Sequence, residues 1–422
     1  MFSIEKKVAP IECNARKKSS PFLPFQNLDR AAEIAYYYGF QPIKAPTIEK
    51  EDTAKAKRVN ESEHHDINYG SSLDMSLSIG VEEKIALLRI CDEKKLLNPF
   101  QPAMLYFEGT ARHANVKKPP HGQKITVNLN IVGTTKSVAE AELIKTAIEI
   151  LRQEGFEDLY VDINSVGDKD SMANFSRETA QYYRKHVNDL ENHCRTQLKK
   201  NPFAPMECTN AKCRELALQA PNSVTFLSEP SRLHFREVLE YLESMNIPYK
   251  IDHQILGNRR LCCHTIFLIK TLNVGGGKDT PEETLALGYR YNELAKKIDM
   301  KRDTPAVGVH IVFKRKGHAQ RKSRIPKKPQ VYFIQFGFHA KLKSLQVIEI
   351  LRHAKIPLHQ ALAKDKLTSQ ISTAENLSIP FVLIMGQKEA MEDSVIVRDM
   401  STRSQETVKI GVLAEYLKKI GR

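Results

Sequence analysis

Three cysteines, Cys194, Cys208 and Cys213, stand in one polar stretch with thirteen and four residues between them, and His193 adjoins the first. Thiolate and imidazole groups bind zinc, but a structural zinc takes four good ligands, usually including a tight Cys-x-x-Cys pair, which this chain lacks. The spacing favours reduced structural cysteines, and no metal site is expected. Cys262 and Cys263 are adjacent; on a strand they would point to opposite faces, which argues against a shared ion. The run Gly275-Gly276-Gly277-Lys278-Asp279 suggests a phosphate loop but lacks the Walker spacing and its Ser/Thr, so it reads as a turn. His64 and His65 lie in a polar run and are expected at the surface.

The charge balance is a second chemical signal. The chain has 64 basic and 50 acidic residues, a formal net charge of +14. Such a balance favours polyanionic partners, because each neutralised phosphate releases counterions; a soluble surface that happens to be basic is the plainer alternative. Trp is absent, and the Tyr and Phe residues show no pattern of a stacking platform for single strands. A length of 422 residues with 41% apolar and 27% charged residues describes a globular chain of about two to four domains. Seven scattered cysteines argue against a disulfide framework. No apolar run is long enough to span a bilayer, and residues 1–20 carry basic residues without an apolar stretch. A soluble, cytoplasmic protein without membrane attachment is expected.

The elements that must position these groups follow from periodicity and breakers. Residues 1–25 read as a basic N-terminal arm. A helix is expected over 27–38, stopped by Gly39, then a Pro-bearing edge strand over 40–48. Residues 51–72 show no clear period and read as a loop or insertion. Helices are expected over 81–97 and 137–154, and strands over 103–107, 124–132 and 159–163. Residues 168–216 read as polar and helical, 231–245 as an amphipathic helix, 265–271 as a strand, 284–297 as a helix whose first part could be strand, and 307–313 as a strand.

A composition break follows. FKRKGHAQRKSRIPKKPQ, residues 313–330, holds eight basic residues and no acidic one. With Pro326 and Pro329 this is a linker or exposed basic arm. Strands and helices then alternate to the end of the chain, as a compact α/β unit with a mixed sheet.

Several of these segments carry a resemblance. YGFQPIKAPTIE (38–49) looks like motif 1 of class II aminoacyl-tRNA synthetases. DINSVGDKDSMANFSRE (162–178), NPFAPMEC and FLSEPSRLHFREVLEYLESMNIPYKID resemble the histidyl type. The segments from VYFIQFG to VIVRDMSTRSQETV are similar to the anticodon-binding domain shared by the histidyl, glycyl, threonyl and prolyl enzymes. The resemblance covers most of 26–422. It implies an α+β fold: a class II antiparallel sheet core with a helical insertion, plus a C-terminal anticodon-binding-type domain. The implied boundaries are 26–316 for the catalytic-type domain, with 168–250 as the insertion region, 317–329 for the basic linker and 330–422 for the last domain. It also implies a homodimer, with Pro46 at its interface.

The resemblance further says which residues would act. Amino-acid activation joins a carboxylate to the α-phosphate of ATP, so arginines and Mg²⁺ must neutralise charge. In FEGTARHANVKKPPHGQKITVNLNIVG, Arg112 takes the place of the motif 2 arginine, and the following glutamate becomes Ala114. Lys117 and Lys118 keep charge in the loop that would meet ATP. In AVGVHIVFKR, Ala306, Val307 and Gly308 match motif 3, and Arg315 keeps its arginine. The family's Gly-Leu-Glu becomes Val312, Phe313 and Lys314. Gly288, Arg290 and Tyr291 match a G-x-R-Y element, for which a structural role is expected. Val81-Glu82-Glu83-Lys84 stands at the P-E-G-T element, with Glu82 placed for the substrate ammonium. The histidine element R-G-L-D-Y-Y-T-R-T-V-F is replaced by LGNRRLCCHTIF (256–267); its arginine, aspartate and both tyrosines have no counterpart, and Arg259 and Arg260 are out of register.

Loss of hydrogen-bonding partners costs a polar pocket orders of magnitude in recognition. The expected function is therefore a histidyl-tRNA synthetase-like protein that binds tRNA or a translation partner but has lost or altered amino-acid activation. Lys322, Arg324, Lys327 and Lys328 of the linker are the candidate tRNA contacts. The alternative is an active, divergent histidine–tRNA ligase, with Arg112 and Arg315 on the phosphates and ATP and Mg²⁺ as requirements. A metabolic regulator of the synthetase-like kind is a third reading, disfavoured by the C-terminal domain.

Overall fold

In the computed structural model of the chain, the described residues are 22–23, 29–60, 80–97, 102–109, 112–113, 124–272, 282–314, 329–360 and 367–421. The chain opens with α1 (Arg30–Tyr37), capped by the Asp29 side chain, which accepts from the Ala32 N–H at 2.8 Å. Two short strands follow, β1 (Gln41–Pro42) and β2 (Thr47–Ile48), then α2 (Lys50–Asn60) and α3 (Val81–Glu93). Next come β3 (Ala103–Glu108), β4 (Arg112–His113), β5 (Lys124–Val132), α4 (Val138–Gln153) and β6 (Leu159–Gly167). The insertion region carries α5 (Lys169–Lys185), α6 (Asn192–Gln197), α7 (Ala211–Leu218) and α8 (Glu229–Ser244), and β7 (Tyr249–Ile251) closes it. β8 (Cys263–Thr271), β9 (Glu283–Arg290), α9 (Leu294–Lys297) and β10 (Ala306–Lys314) complete the first unit.

These strands form an eight-stranded sheet in the order β1-β3-β5-β10-β9-β8-β6-β7. Its six inner strands are antiparallel neighbours, and β1 and β7 join the two edges in parallel. The core is thus the expected antiparallel sheet, with parallel edge strands making it mixed. A small side sheet pairs β2 with β4, Thr47 opposite Arg112.

Residues 331–420 form the second unit: β11 (Val331–Gln335), α10 (Phe338–His353), β12 (Leu358–Gln360), α11 (Leu367–Asn376), β13 (Phe381–Met385), α12 (Gln387–Met391), β14 (Ser394–Asp399), β15 (Gln405–Lys409) and α13 (Ile410–Ile420). The sheet order is β12-β11-β13-β14-β15, parallel in its first three strands and antiparallel in the rest. This is the mixed sheet that alternating strands and helices predict.

The two units meet on α4. Every residue from Val138 to Leu151 is buried, four charged side chains included, because one side of the helix packs on the large sheet and the other meets the second unit. Arg352 reaches Glu149 at 2.6 Å, Glu349 reaches Lys145 at 2.8 Å, and Gln360 donates to Glu142 at 2.6 Å.

Three sequence expectations change. The single strand expected over 40–48 divides into β1 and β2, which join different sheets. The start of the region read as a loop, 51–60, is helical. Lys, Glu and Ala favour a helix, and only Ala56, Val59 and Asp52 turn inward, too few to show a period. The stretch 284–297 divides into β9 and the short α9. In mid-sheet both faces of β9 are covered, so LALGY shows no alternation to mark a strand.

Candidate functional site

On the face of the large sheet opposite α4, strand β5 of the motif 2 segment meets β10 of the motif 3 segment. In β5, alternation sends Val127, Leu129 and Ile131 into the core under α4 and leaves Thr126, Asn128 and Asn130 on the other face. β10 pairs with it so that Gly308 stands opposite Asn130 and His310 opposite Asn128. His310 Nδ1 lies 2.8 Å from Asn128 Oδ1, and Asn128 donates to the Gly109 carbonyl at 2.9 Å. Asn128, Asn130 and His310 are all buried.

Helix α3 lies over this face. Lys84, in its first turn, is buried and donates from Nζ to Asn130 Oδ1 at 2.8 Å. Tyr291 donates to the same oxygen at 3.0 Å. The ammonium lies 5.2 Å from the Tyr291 ring centre and 5.7 Å from that of Tyr289, a cation–π arrangement in a desolvated setting. Burial pushes the Lys84 ammonium down to about 8, with Glu83 opposing the shift. Gly308 makes room for this cluster: a Cβ there would press on Asn130 Oδ1 and lie 2.8 Å from Lys84 Nζ. The motif 3 glycine therefore accommodates the chain's own lysine and asparagine.

The G-x-R-Y match is structural. Gly288 packs against the Phe267 ring, where any Cβ would clash. Arg290 turns under the sheet to Glu140 of α4, with Nε at 2.6 Å from Oε1, and donates to the carbonyls of Thr134 at 2.8 Å and Lys136 at 3.1 Å. His234 of α8 completes the group at 2.7 Å from Glu140. Burial alone would raise the Glu140 carboxyl; the Arg290 guanidinium, aided by His234, overrides it and holds the group well below the ordinary carboxylate range.

The segment replacing the histidine element is engaged elsewhere. Arg259 bonds to Glu207 at 3.1 Å and Asn201 at 2.8 Å and covers the Phe203 ring at 4.6 Å. Arg260 donates to the Val59 carbonyl at 3.2 Å. Cys262 is buried, and Cys263 points to the Arg290 carbonyl at 3.6 Å. His264 takes a positive φ of 50° opposite Gly167. Burial, then the neighbouring His234 and Arg290, push its imidazole down to about 4.

Among the predicted site residues, Glu82 is half-buried in the first turn of α3, next to Glu83 and Lys84, which turn inward. Pro46 is buried just before β2. Arg112 has its backbone in β4, but its side chain lies outside the described residues, as do Lys117, Lys118, Arg315, Lys322, Arg324, Lys327 and Lys328. His64, His65 and the 275–279 run also lie outside them. The structure thus joins Lys84, of the segment at the P-E-G-T element, to Gly308, of the motif 3 match. Sequence reasoning missed Lys84, Asn128, Asn130, His310, Glu140 and His234 as members of these clusters. The one legible signal was the period-two polar stripe Thr126, Asn128, Asn130 within an apolar strand.

Comparison with known proteins gives the frame for this geometry. Residues 330–420 match the family model described as anticodon binding domain. The histidine–tRNA ligase of Bacillus velezensis is 27% identical over 396 residues, covering 92% of both chains. That of Bacillus subtilis is 27% identical over 391 residues, covering 90% of this chain and 91% of its own. The crystal structure of apo Staphylococcus aureus histidyl-tRNA synthetase superposes with a TM-score of 0.48 at 22% identity, covering 92% of this chain and 93% of that one. Along about nine-tenths of its length this chain is thus similar to histidine–tRNA ligases, and its residues 330–420 form an anticodon-binding-type domain.

Proposed function

We propose that this protein binds tRNA and does not activate histidine. The observation that carries the reading is the Lys84–Asn130–Tyr291 cluster seated on Gly308. Gly308, matched to motif 3, leaves room there for a buried ammonium with fixed partners. The side chains matched to ATP contacts, Arg112, Lys117, Lys118 and Arg315, lie outside the described residues. Further along β10, Val312 is buried, and Phe313 turns to the opposite core against Phe156 at 6.1 Å. The residues that replace the histidine element make structural contacts, as Arg259 and Arg260 do, and none supplies the missing aspartate or tyrosines.

The binding half of the proposal rests on the match over 330–420, the net charge of +14 and the basic run before that domain. Lys322, Arg324, Lys327 and Lys328 would meet RNA phosphates. We further propose a homodimer through the 38–49 segment that bears Pro46, and a cytoplasmic setting; among the described residues no helix is long and apolar enough to cross a membrane.

The test is to measure tRNA affinity across a salt series and ATP–pyrophosphate exchange on the same preparation. Salt-sensitive tRNA binding without histidine-dependent exchange supports the reading. Histidine-dependent exchange would instead support the active ligase, with Arg112 and Arg315 on ATP. Absence of tRNA binding at low salt would remove the binding half.

A further inference from the structure

The helical insertion brings together the cysteines that the sequence scatters. Glu191, Cys194, Cys208 and Cys213 each present one ligand atom, and these four atoms all lie within 4.8 Å of one another. Glu191 is the N-cap residue of α6 and Cys194 lies in its first turn; Cys213 lies in α7, and Cys208 in the turn between the helices. Cys194 and Cys213 are buried, Cys208 is half-buried and Glu191 is at the surface. His193, the fourth ligand that sequence alone suggests, is not in the cluster.

We propose that these four residues form a structural zinc site. A tetrahedral zinc about 2.3 Å from each sulfur keeps its ligands about 3.8 Å apart. The observed group, with its atoms within 4.8 Å of one another, needs to contract by at most about 1 Å to reach that geometry. Three thiolates and one carboxylate are a soft, anionic donor set suited to zinc rather than to Mg²⁺ or Ca²⁺. The surrounding backbone already serves the sulfurs. The Asn210 N–H donates to Cys208 Sγ at 3.4 Å and the Glu191 N–H to Cys213 Sγ at 3.5 Å, bonds of the kind that orient and stabilise metal thiolates. Cys208 itself donates to Glu191 Oε2 at 3.3 Å. Zinc entry would replace that thiol proton and those of Cys194 and Cys213, releasing three protons to solvent.

The need for a staple is visible in the packing. Apart from these cysteines, the buried core under α6 and α7 is Tyr183, Leu190, Leu198 and Ala220, with Tyr182, Met206 and Leu216 partly buried against it. So small an apolar core holds short helices weakly, which is where proteins use a structural metal. A disulfide would join only two of the three sulfurs and leave the third without a role. This inference is independent of whether histidine is activated.

The full chain, purified with a non-thiol reductant and no chelator, should carry close to one zinc per chain by elemental analysis. Exchange with CoCl₂ should give sulfur-to-cobalt charge-transfer absorption and the visible bands of a tetrahedral site. Cys208→Ser, at the half-buried position, should lose the zinc while retaining the far-ultraviolet circular dichroism of the two sheets; Cys263→Ser, outside the cluster, should keep it. Sub-stoichiometric zinc in the wild type with no cobalt–thiolate absorption would overturn the proposal. So would full zinc retention in Cys208→Ser, or a disulfide between two of these cysteines in freshly isolated protein.

Discussion

Lys84 and Asn130 are 46 positions apart and hold each other at 2.8 Å beneath α3, with the Tyr291 hydroxyl on the same asparagine oxygen. The contact exists because residue 308 is glycine and because no solvent reaches the ammonium. It makes a charged side chain part of the protein's interior.

That burial has a pH signature. The ordinary lysine value of 10.5 falls to about 8 at Lys84. Between those values the unfolded chain holds the proton and the folded chain has released it, so folding stability rises with pH across this window. Below pH 8 the cost of the buried charge is present in full. Relative to Lys84→Met, the wild type should gain about 3 kcal/mol between pH 7 and pH 10.5. Denaturant unfolding of both proteins across the range measures it; parallel curves would mean that Lys84 is solvated.

The Glu140–Arg290 pair makes the opposite prediction at acid pH. Glu140 is held below its ordinary range, so its contribution is complete above about pH 4.5 and is lost as pH falls further. Glu140→Gln leaves the Arg290 guanidinium buried without its counter-ion and should cost about 3–5 kcal/mol at neutral pH. Thermal unfolding at pH 7 reads the loss, and the gap to wild type should narrow as the pH is lowered.

Glu142, two residues along α4, behaves differently. Burial raises its carboxyl well above the ordinary range, and the single bond from Gln360 only partly offsets this. The folded chain keeps a proton that the unfolded chain loses above about pH 4.5, so stability declines with rising pH. Glu142→Gln should be more stable than wild type at pH 8, by a margin that shrinks toward pH 4.5. A melting-temperature series from pH 4.5 to 8 checks the sign.

The basic run lies outside the described residues and is tested through RNA. Lys327→Glu with Lys328→Glu should weaken tRNA binding at moderate salt and lower the log–log salt slope by about 1.4 to 1.8, two phosphate contacts' worth. An unchanged slope would remove these lysines from the interface.

Much of the fold was legible in the sequence. The strand 124–132, the helix 137–154 and the alternating C-terminal unit were set by local periodicity and breakers, and they appear within a few residues of expectation. Helix α12 (Gln387–Met391) was missed because five polar-rich residues carry no period. The site was less legible for a physical reason. The stripe Thr126, Asn128, Asn130 announces a polar face, but what covers it is decided by α3, some forty residues earlier, and by the register of β10. Likewise, the cysteines lack a local pairing motif; only the fold of α6 against α7 brings Cys194 beside Cys208 and Cys213.

The central claim is that this chain has kept the synthetase scaffold without the activation reaction. ATP–pyrophosphate exchange, run with each of the twenty amino acids beside an authentic histidyl enzyme, tests it most directly. A folded protein that binds tRNA yet gives no exchange above background with any amino acid is the predicted result. Histidine-dependent exchange would contradict the account.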